Sequence, residues 1–144
     1  MRRVLWPQCS TEEHACEMAD VLVRLPDWAV FVAPRPTGSL GGFIELSIKQ
    51  TAEGCGAGPV GYVEGWYVDP DIRREGIGRR LLAVAEQWAL QRGCRMMASD
   101  ADPENALGIR VHRATGFEEV GRMVNFRKPL AGSSSDVVSR GGGI

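Results

Sequence analysis

The chain has 144 residues, with 17 basic and 18 acidic side chains and a formal net charge of −1. This length is typical of one domain, and a hydrophobic fraction of 44% excludes a disordered or fibrous chain. The balanced charge gives no overall argument for a nucleic-acid partner, which usually needs a basic face. No apolar run approaches the roughly 20 residues that span a bilayer, and the beginning of the chain lacks the apolar segment of a secretory signal. We therefore expect neither a nucleic-acid partner nor a membrane partner.

The cysteines and histidines give no sign of a metal site. The chain has four cysteines, at positions 9, 16, 55 and 94, and two histidines, His14 and His112. Their spacing lacks the C-x-x-C pattern that is typical of zinc sites, so no metal is expected. Free thiols are typical of a reducing compartment, so we expect the protein to be cytoplasmic.

A helix and three strands are predicted in the first half of the chain. Ser10 followed by Glu13 forms a capping box, which predicts that a helix begins there, and Pro26 ends it. Its apolar residues recur at helical spacing, at Ala15, Met18, Ala19 and Leu22. Strands are predicted from apolar and β-branched segments at 28–33, 42–48 and 59–68. Gly65 interrupts the third strand, which indicates a β-bulge or a close approach of another part of the backbone.

The second half of the chain predicts two further helices. An arginine- and glycine-rich loop, 69–78, leads into the first of them, which Gly93 ends. Asp102-Pro103 opens the second helix, which runs to about Ala114. Strand-like segments lie at 94–99, 117–120 and 123–127.

The predicted elements follow one another in the order α-β-β-β-α-β-α-β-β. This order predicts an α/β (α+β) domain with a mixed central β-sheet flanked by helices. The strand–helix–strand unit from Tyr62 to Ser99 is expected to be a right-handed parallel crossover. We expect the domain to occupy residues 1–130. The Gly- and Ser-rich tail, 131–144, is expected to be disordered because it cannot bury enough apolar surface.

The loop before the long helix has the composition of an anion site. Arg73-x-x-Gly76-x-Gly78 precedes a helix N-terminus, where backbone N–H groups are unpaired and the helix dipole is positive. Glycines let the backbone approach an anion such as a pyrophosphate, and the arginines add positive charge. The pattern is neither a Walker loop nor G-x-G-x-x-G. A glycine turn with surface arginines is the alternative that the loop alone leaves open.

Two motifs together resemble a known family. Val68-Asp69-Pro70 and the segment Arg73 to Leu82 resemble motif A of the GNAT acetyltransferase superfamily, whose loop cradles the pyrophosphate of acetyl-CoA. Asn105 and the segment His112 to Phe117 resemble motif B. The resemblance implies the GNAT fold. Because the chain begins close to Trp6, it also implies that the first strand of that fold is truncated.

Further segments resemble the aminoglycoside 6′-N-acetyltransferases within this superfamily. The resemblance covers about residues 6–130. It rests on Pro59-Val60, Glu64 to Val68, Ala98 to Asp100, Pro103 to Asn105, His112 and Gly116 to Glu119. It implies an acyltransferase that uses acetyl-CoA as co-substrate and needs no metal. The implied acceptor is the 6′-amine of an aminoglycoside antibiotic, so the activity would confer antibiotic resistance.

The resemblance also implies the residues of the site. The acetyl-CoA site carries over onto Trp66, Tyr67, Val68, Arg73, Arg74, Glu75, Gly76, Ile77, Gly78 and Asn105. The aminoglycoside site carries over onto Trp6 as an aromatic contact and onto Glu64 and Asp100, whose carboxylates suit a polycation. Glu64 and Asp100 are also the candidate catalytic bases. His112 stands where many relatives have a tyrosine that protonates the departing thiolate, and a histidine can donate a proton too.

The implied reaction is a direct transfer in a ternary complex, since no cysteine falls on a matched catalytic position. Two alternatives remain open. One is a GNAT acetyltransferase for another amine, such as a polyamine, a small amine or a protein amine. The other is a non-catalytic acyl-CoA-binding module. Relatives of this kind are commonly homodimers, so a homodimer is expected, with Met123 to Pro129 as a candidate interface strand.

Overall fold

The computed structural model of the chain describes residues 1–24 and 26–130, so the tail predicted to be disordered, 131–144, lies outside the described residues. The helices are Arg2–Leu5 (α1), Thr11–Val23 (α2), Ile77–Gln91 (α3) and Ala106–Ala114 (α4), with a short 3-10 helix at Pro70–Ile72. The strands are Trp28–Pro34 (β1), Leu40–Lys49 (β2), Val60–Val68 (β3) and Met96–Ser99 (β4). Among the described residues no strand precedes β1.

The strands of the described chain form one mixed sheet in the order β1-β2-β3-β4. β1, β2 and β3 pair antiparallel, whereas β4 lies parallel to β3 at one edge. α3 connects β3 to β4 and packs on the sheet, where Ile44, Leu46 and Ala85 are fully buried in the core. The predicted mixed sheet and the parallel crossover are therefore confirmed.

A β-bulge in β3 lies where the sequence predicts it. Leu46 pairs with Val63 but Glu45 pairs with Gly65, so Glu64 is the extra residue of the bulge. The parallel ladder with β4 ends at Val63, and the rest of β3 has no strand beside it on that side among the described residues. The two strands therefore diverge from Glu64 onward, and backbone groups of β3 face the gap between them.

The buried face of α2 differs from the predicted one. The capping box is present, because Ser10 Oγ accepts the Glu13 N–H at 3.1 Å and Glu13 Oε2 accepts the Ser10 N–H at 2.7 Å. The helix buries His14 and Val21, whereas Leu22 of the predicted apolar face is 66% exposed. His14, Met18 and Val21 follow one another at spacings of four and three residues, so the buried stripe keeps Met18 of the predicted face but is rotated away from Ala15, Ala19 and Leu22.

The start of α4 also needs correction. The helix begins at Ala106 rather than at Asp102-Pro103. The Asn105 side chain accepts the Gly108 N–H at 2.8 Å and so caps the helix there. The Asp102 carboxylate instead accepts a backbone N–H two residues along the chain, which makes a turn before the helix.

Residues 117–130 contain no strand, so the prediction of strands at 117–120 and 123–127 was wrong. A strand needs a neighbour that satisfies its backbone groups, and no strand of the described sheet pairs with this segment. The ion pair of Glu119 with Arg113, at 2.6 Å, connects the start of the segment to α4, and Glu119 also pairs with Arg122 of the same segment at 2.6 Å.

Candidate active site

A cleft of about 1360 Å³ opens where β3 and β4 diverge. One small ligand usually occupies roughly 300–1,000 Å³, so the cleft has room for two. The predicted site residues that line it are Trp6, Glu64, Trp66, Tyr67, Val68, Arg73, Arg74, Gly76, Ile77, Gly78, Asp100, Asn105 and His112. Glu75 does not line it: this residue is exposed, and its carbonyl accepts a hydrogen bond from Arg80 Nη1 at 3.1 Å.

The N-terminus of α3 forms one part of the cleft. Gly76 precedes the helix with a φ of 76°, a left-handed conformation that glycine adopts without strain, and no side chain caps the helix. The Arg80 N–H bonds to the Gly76 carbonyl at 3.0 Å, so the N–H groups of residues 77–79 have no helical partner. These N–H groups and the positive end of the helix dipole favour an anion here.

Arginine contacts fix the backbone that precedes α3. Arg35 lies 2.8 Å from the Asp69 carboxylate and 2.7 Å from that of Asp71, and its hydrogen bond holds the pKa of Asp71 below the usual range. Arg73 Nε donates to the Val68 carbonyl at 2.8 Å. These contacts fix the backbone of the arginine-rich loop relative to the sheet.

His112 on α4 joins three elements at the point where the strands diverge. Its Nδ1 lies 2.7 Å from the Gly108 carbonyl and its Nε2 lies 2.9 Å from Ser99 Oγ. Because a carbonyl only accepts, Nδ1 carries the hydrogen, and Nε2 of the neutral ring accepts the Ser99 hydroxyl. Trp66 and Phe117 pack edge-on against the imidazole, with centroids 5.8 and 5.2 Å away. The ring is thereby held in one orientation beside the cleft.

Two carboxylates, those of Glu64 and Asp100, line another part of the cleft. Glu64 Oε1 accepts a hydrogen bond from Ser47 Oγ at 2.6 Å and lies 3.2 Å from Lys49 Nζ. Asp100 Oδ1 accepts a hydrogen bond from the Tyr62 hydroxyl. Burial and this bond raise the pKa of Tyr62, so the phenol keeps the proton that it donates. Side chains of β2 and β3 therefore hold both carboxylates in place for a cationic ligand.

Trp6, at the end of α1, packs over the bulge of β3. A Cβ on Gly65 would lie 2.5 Å from Trp6 Cη2, so only glycine leaves room for the indole. The Phe43 ring lies beside it, with centroids 6.5 Å apart. The Arg2 guanidinium stacks on the indole at 4.5 Å and pairs with the buried Glu45. Arg2 therefore anchors α1, and Trp6 with it, to β2.

The cysteine, histidine and acidic side chains of the described residues form no candidate metal site. Within residues 1–24 and 26–130, no group of three or more His, Cys, Asp or Glu side chains could hold a metal ion. In the same part of the chain, no helix is long and apolar enough to cross a membrane. All four cysteines are free thiols, and burial raises the pKa of Cys94.

Comparison with known proteins identifies the family. The model of the acetyltransferase (GNAT) family matches residues 1–117. The chain belongs to the GNAT acetyltransferase family. The resemblance indicated by the two sequence motifs is confirmed, and so is the fold that it implies.

Proteins similar to this GNAT acetyltransferase share a further name. An aminoglycoside N(6′)-acetyltransferase type 1 of Klebsiella aerogenes is 46% identical over 133 residues, which cover 90% of this chain and 87% of that protein. A protein of the same name from Stenotrophomonas maltophilia is 39% identical, with 93% and 86% covered. The structure of AAC(6′)-Iy in complex with the bisubstrate analogue CoA-S-monomethyl-acetylneamine has a TM-score of 0.82 at 36% identity, with 90% of this chain and 88% of that chain covered.

Sequence reasoning missed the residues that hold the carboxylates and the indole of this GNAT site. They are Arg2, Ser47, Lys49 and Tyr62. The available signal was the alternation of Glu45, Ser47 and Lys49 along an otherwise apolar strand. Polar residues with a period of two lie on one face of a strand, and such a row on a buried strand indicates a face that serves a site.

Proposed function

We propose that this chain is an acetyl-CoA-dependent acyltransferase that acetylates the 6′-amine of aminoglycosides and so confers resistance to them. One observation carries the proposal: a single cleft contains both an uncapped helix N-terminus, suited to an anion, and two carboxylates, suited to a cation. Acetyl-CoA carries phosphates and an aminoglycoside carries several ammonium groups, so the two parts of the cleft match the two ligands. The names of the relatives at 46% and 39% identity support the same substrate.

The residues of the first part suit acetyl-CoA, which supplies an acetyl group activated as a thioester. The N–H groups of 77–79, with Arg73 and Arg74 beside them, would bind its pyrophosphate. Asn105 would offer its Nδ2 amide as a donor, since its Oδ1 caps α4. No strand of the described residues pairs with the backbone of 66–68 on the side of β4, so this backbone would hold the pantetheine amides like an added strand. One N–H of this segment would stabilise charge on the thioester oxygen.

The residues of the second part suit the acceptor. Glu64 and Asp100 would orient it and take the proton that its amine loses, directly or through water. Trp6 would form an aromatic wall for a sugar ring. His112 would supply the proton for the leaving thiolate as an imidazolium, whose Nε2 carries a hydrogen, and the transfer would leave the neutral ring whose Nε2 accepts the Ser99 hydroxyl. Among the described residues no cysteine lines the cleft, which supports direct transfer.

A panel of acceptors tests the proposed function. The purified enzyme is incubated with acetyl-CoA, and released CoA thiol is measured with kanamycin- and tobramycin-type aminoglycosides and with analogues that carry a 6′-hydroxyl. We expect release only with the 6′-amino compounds. Release only with polyamines or other amines would favour a different acceptor. Binding of CoA without release for any amine would favour a non-catalytic acyl-CoA-binding module.

Asp100→Asn tests the role of the carboxylate. General base catalysis contributes about 100-fold or more, so kcat/KM for the aminoglycoside is expected to fall by at least that factor. Asp20→Asn, on the exposed side of α2, is the matched control and should keep wild-type kinetics. Wild-type kinetics for Asp100→Asn would remove this residue from the site.

Incubation of the enzyme with acetyl-CoA alone tests direct transfer. Intact-protein mass spectrometry is expected to show no acetylated protein after the cofactor is removed. A stable acetyl-cysteine adduct that an added aminoglycoside discharges would overturn the direct mechanism.

We propose further that the enzyme is a homodimer formed through Met123 to Pro129. Apolar side chains of this segment are 74–91% exposed, at Met123, Val124 and Phe126. A contiguous exposed apolar segment supports an interface with another protein surface. Light scattering should give the mass of two chains, and Phe126→Asp should shift the enzyme to one chain. A wild-type enzyme that has the mass of one chain at assay concentrations would contradict the homodimer.

A cytoplasmic location is the last part of the proposal, and the four free thiols support it. Fractionation of producing cells should find the enzyme with a cytoplasmic marker. Recovery with a periplasmic marker would contradict this location.

A further inference from the structure

The face of β2 that carries Glu45, Ser47 and Lys49 brings a cation to the carboxylate of Glu64. Lys49 Nζ lies 3.2 Å from Glu64 Oε1, and the same oxygen accepts the Ser47 hydroxyl at 2.6 Å. Lys49 Nζ also lies 3.2 Å from the centroid of the Tyr62 ring, an arrangement that attracts a cation. The charge of Glu64 is therefore compensated by a residue of the chain itself.

Asp100 stands in a different electrostatic environment. Its partner is the Tyr62 hydroxyl, a neutral donor that keeps its proton because burial and the bond to Asp100 raise the pKa of Tyr62. No basic side chain of the described residues pairs with Asp100. Of the carboxylates that line the cleft, those of Asp100 and Asp102 have no basic partner among the described residues, whereas that of Glu64 is compensated by Lys49.

We propose that Lys49 is a specificity-determining residue, a tethered cation that occupies the ammonium position at Glu64 until an acceptor displaces it. The inference rests on the proposed function and deepens it, because it assigns selectivity to a residue outside the implied site. The Lys49 side chain is 39% exposed, whereas that of Glu64 is 18% exposed, so the lysine can withdraw to solvent while the carboxylate stays in the cleft.

This exchange separates acceptors by their number of ammonium groups. An acceptor with a single amine binds at Asp100 and leaves the pair of Lys49 and Glu64 intact. A polycation brings a second ammonium group, which replaces Lys49 at Glu64 and regains the ion pair that the displacement breaks. The ion pair of Lys49 with Glu64 thus lowers the affinity for every cation that binds at Glu64. This loss of affinity is smallest for acceptors whose ammonium groups reach both Glu64 and Asp100.

Lys49→Met tests the proposal, because methionine keeps an unbranched stem that packs on the Tyr62 ring and removes only the charge. Arg95→Met is the matched control, with the same change of net charge at an exposed residue that does not line the cleft. Lys49→Arg keeps the charge. For each variant, KM for tobramycin and for acetyl-CoA is measured, and calorimetry measures tobramycin binding without turnover.

We expect Lys49→Met to lower KM and the dissociation constant for tobramycin by about two- to fivefold, the size of a partly exposed ion pair. KM for acetyl-CoA should not change, and Lys49→Arg and Arg95→Met should behave as the wild type. Loss of a merely structural residue would raise KM and the dissociation constant for tobramycin. A rise of these two constants in Lys49→Met, no change in them, or an equal fall in Arg95→Met would overturn the proposal. A wild-type enzyme that binds tobramycin without acetylating it would contradict the proposed function alone, because calorimetry would still decide the role of Lys49.

Discussion

Replacement of Gly65 by alanine tests whether Trp6 forms a wall of the acceptor site. The new Cβ would lie 2.5 Å from Trp6 Cη2 and 3.2 Å from Trp6 Cζ2. Carbon atoms pack at about 3.5–4.0 Å, so the indole must move by roughly 1 Å. Arg2 stacks on the indole and pairs with the buried Glu45, so the ring does not swing away freely. The methyl group therefore presses on an anchored side chain.

Overpacking of this kind costs about 1–3 kcal/mol. If α1 moves together with Trp6, the cost appears as weaker binding of the acceptor. About 1–3 kcal/mol then corresponds to a roughly 5- to 150-fold rise in KM for the aminoglycoside. If α1 keeps its position, the free energy of unfolding falls by the same amount. The atoms nearest to the new methyl group belong to Trp6 and Leu5, so KM for acetyl-CoA is expected to change by less than about twofold.

The assay is steady-state release of CoA thiol, combined with thermal unfolding of each variant. Gly121→Ala is the matched control, since a Cβ there would meet only Glu53 Cγ, at an ordinary 3.8 Å. Gly65→Ala is also made in a Trp6→Ala background, where the clash is absent and the second change should add little. Equal penalties from Gly65→Ala with and without the indole would refute the steric reasoning.

Three further predictions follow from the pKa directions. Burial raises the pKa values of Tyr62 and Tyr67, the two tyrosines of the chain, above the unfolded value of about 10. The free energy of unfolding should therefore fall as pH rises above about 10, and ultraviolet titration that shows tyrosinate in the folded enzyme below that pH would contradict this. Arg35→Ala removes the hydrogen bond that lowers the pKa of Asp71 and frees the backbone before α3. KM for acetyl-CoA should therefore rise about two- to fivefold in the thiol-release assay. An unchanged KM would show that Arg35 does not support the acetyl-CoA part of the cleft. Cys94 is 3% exposed and its pKa is raised by burial, so a thiol-reactive disulfide reagent should modify it last of the four thiols, and rapid modification of all four would show that the core opens.

The part of the site proposed for acetyl-CoA could be predicted from the sequence because its determinants are local. The glycines and arginines of 73–78 adjoin the helix whose N–H groups they present, and no distant residue is needed to recognise the arrangement. The bulge at Gly65 was predictable for a similar reason, since a glycine within a β-branched strand has few other uses. The strands expected in 117–130 depend on residues elsewhere in the chain, because a strand forms only where a neighbouring strand pairs with its backbone.

The contacts around the part proposed for the acceptor could not be predicted, because they join residues far apart in the chain. Tyr62 and Asp100 are 38 positions apart, and Arg2 and Glu45 are 43 positions apart. A period of two shows which residues of β2 share a face, but the partners of that face come from other elements. The sequence does not single out Asn105 as the helix cap, because the preceding Asp102-Pro103 carries the stronger helix-start signal.

The net charge of −1 is a sum in which positive and negative groups at different places of the cleft cancel. An enzyme that joins an anionic ligand to a cationic one must attract both, and a large net charge of either sign would repel one of them. Local groups can serve each ligand, the arginines near α3 for the anion and the carboxylates at Glu64 and Asp100 for the cation. Compensation of Glu64 by Lys49 extends the same logic to one side chain, because the charge at Glu64 then becomes available only to a ligand that can displace Lys49. A near-neutral total is therefore compatible with a cleft that binds two oppositely charged ligands.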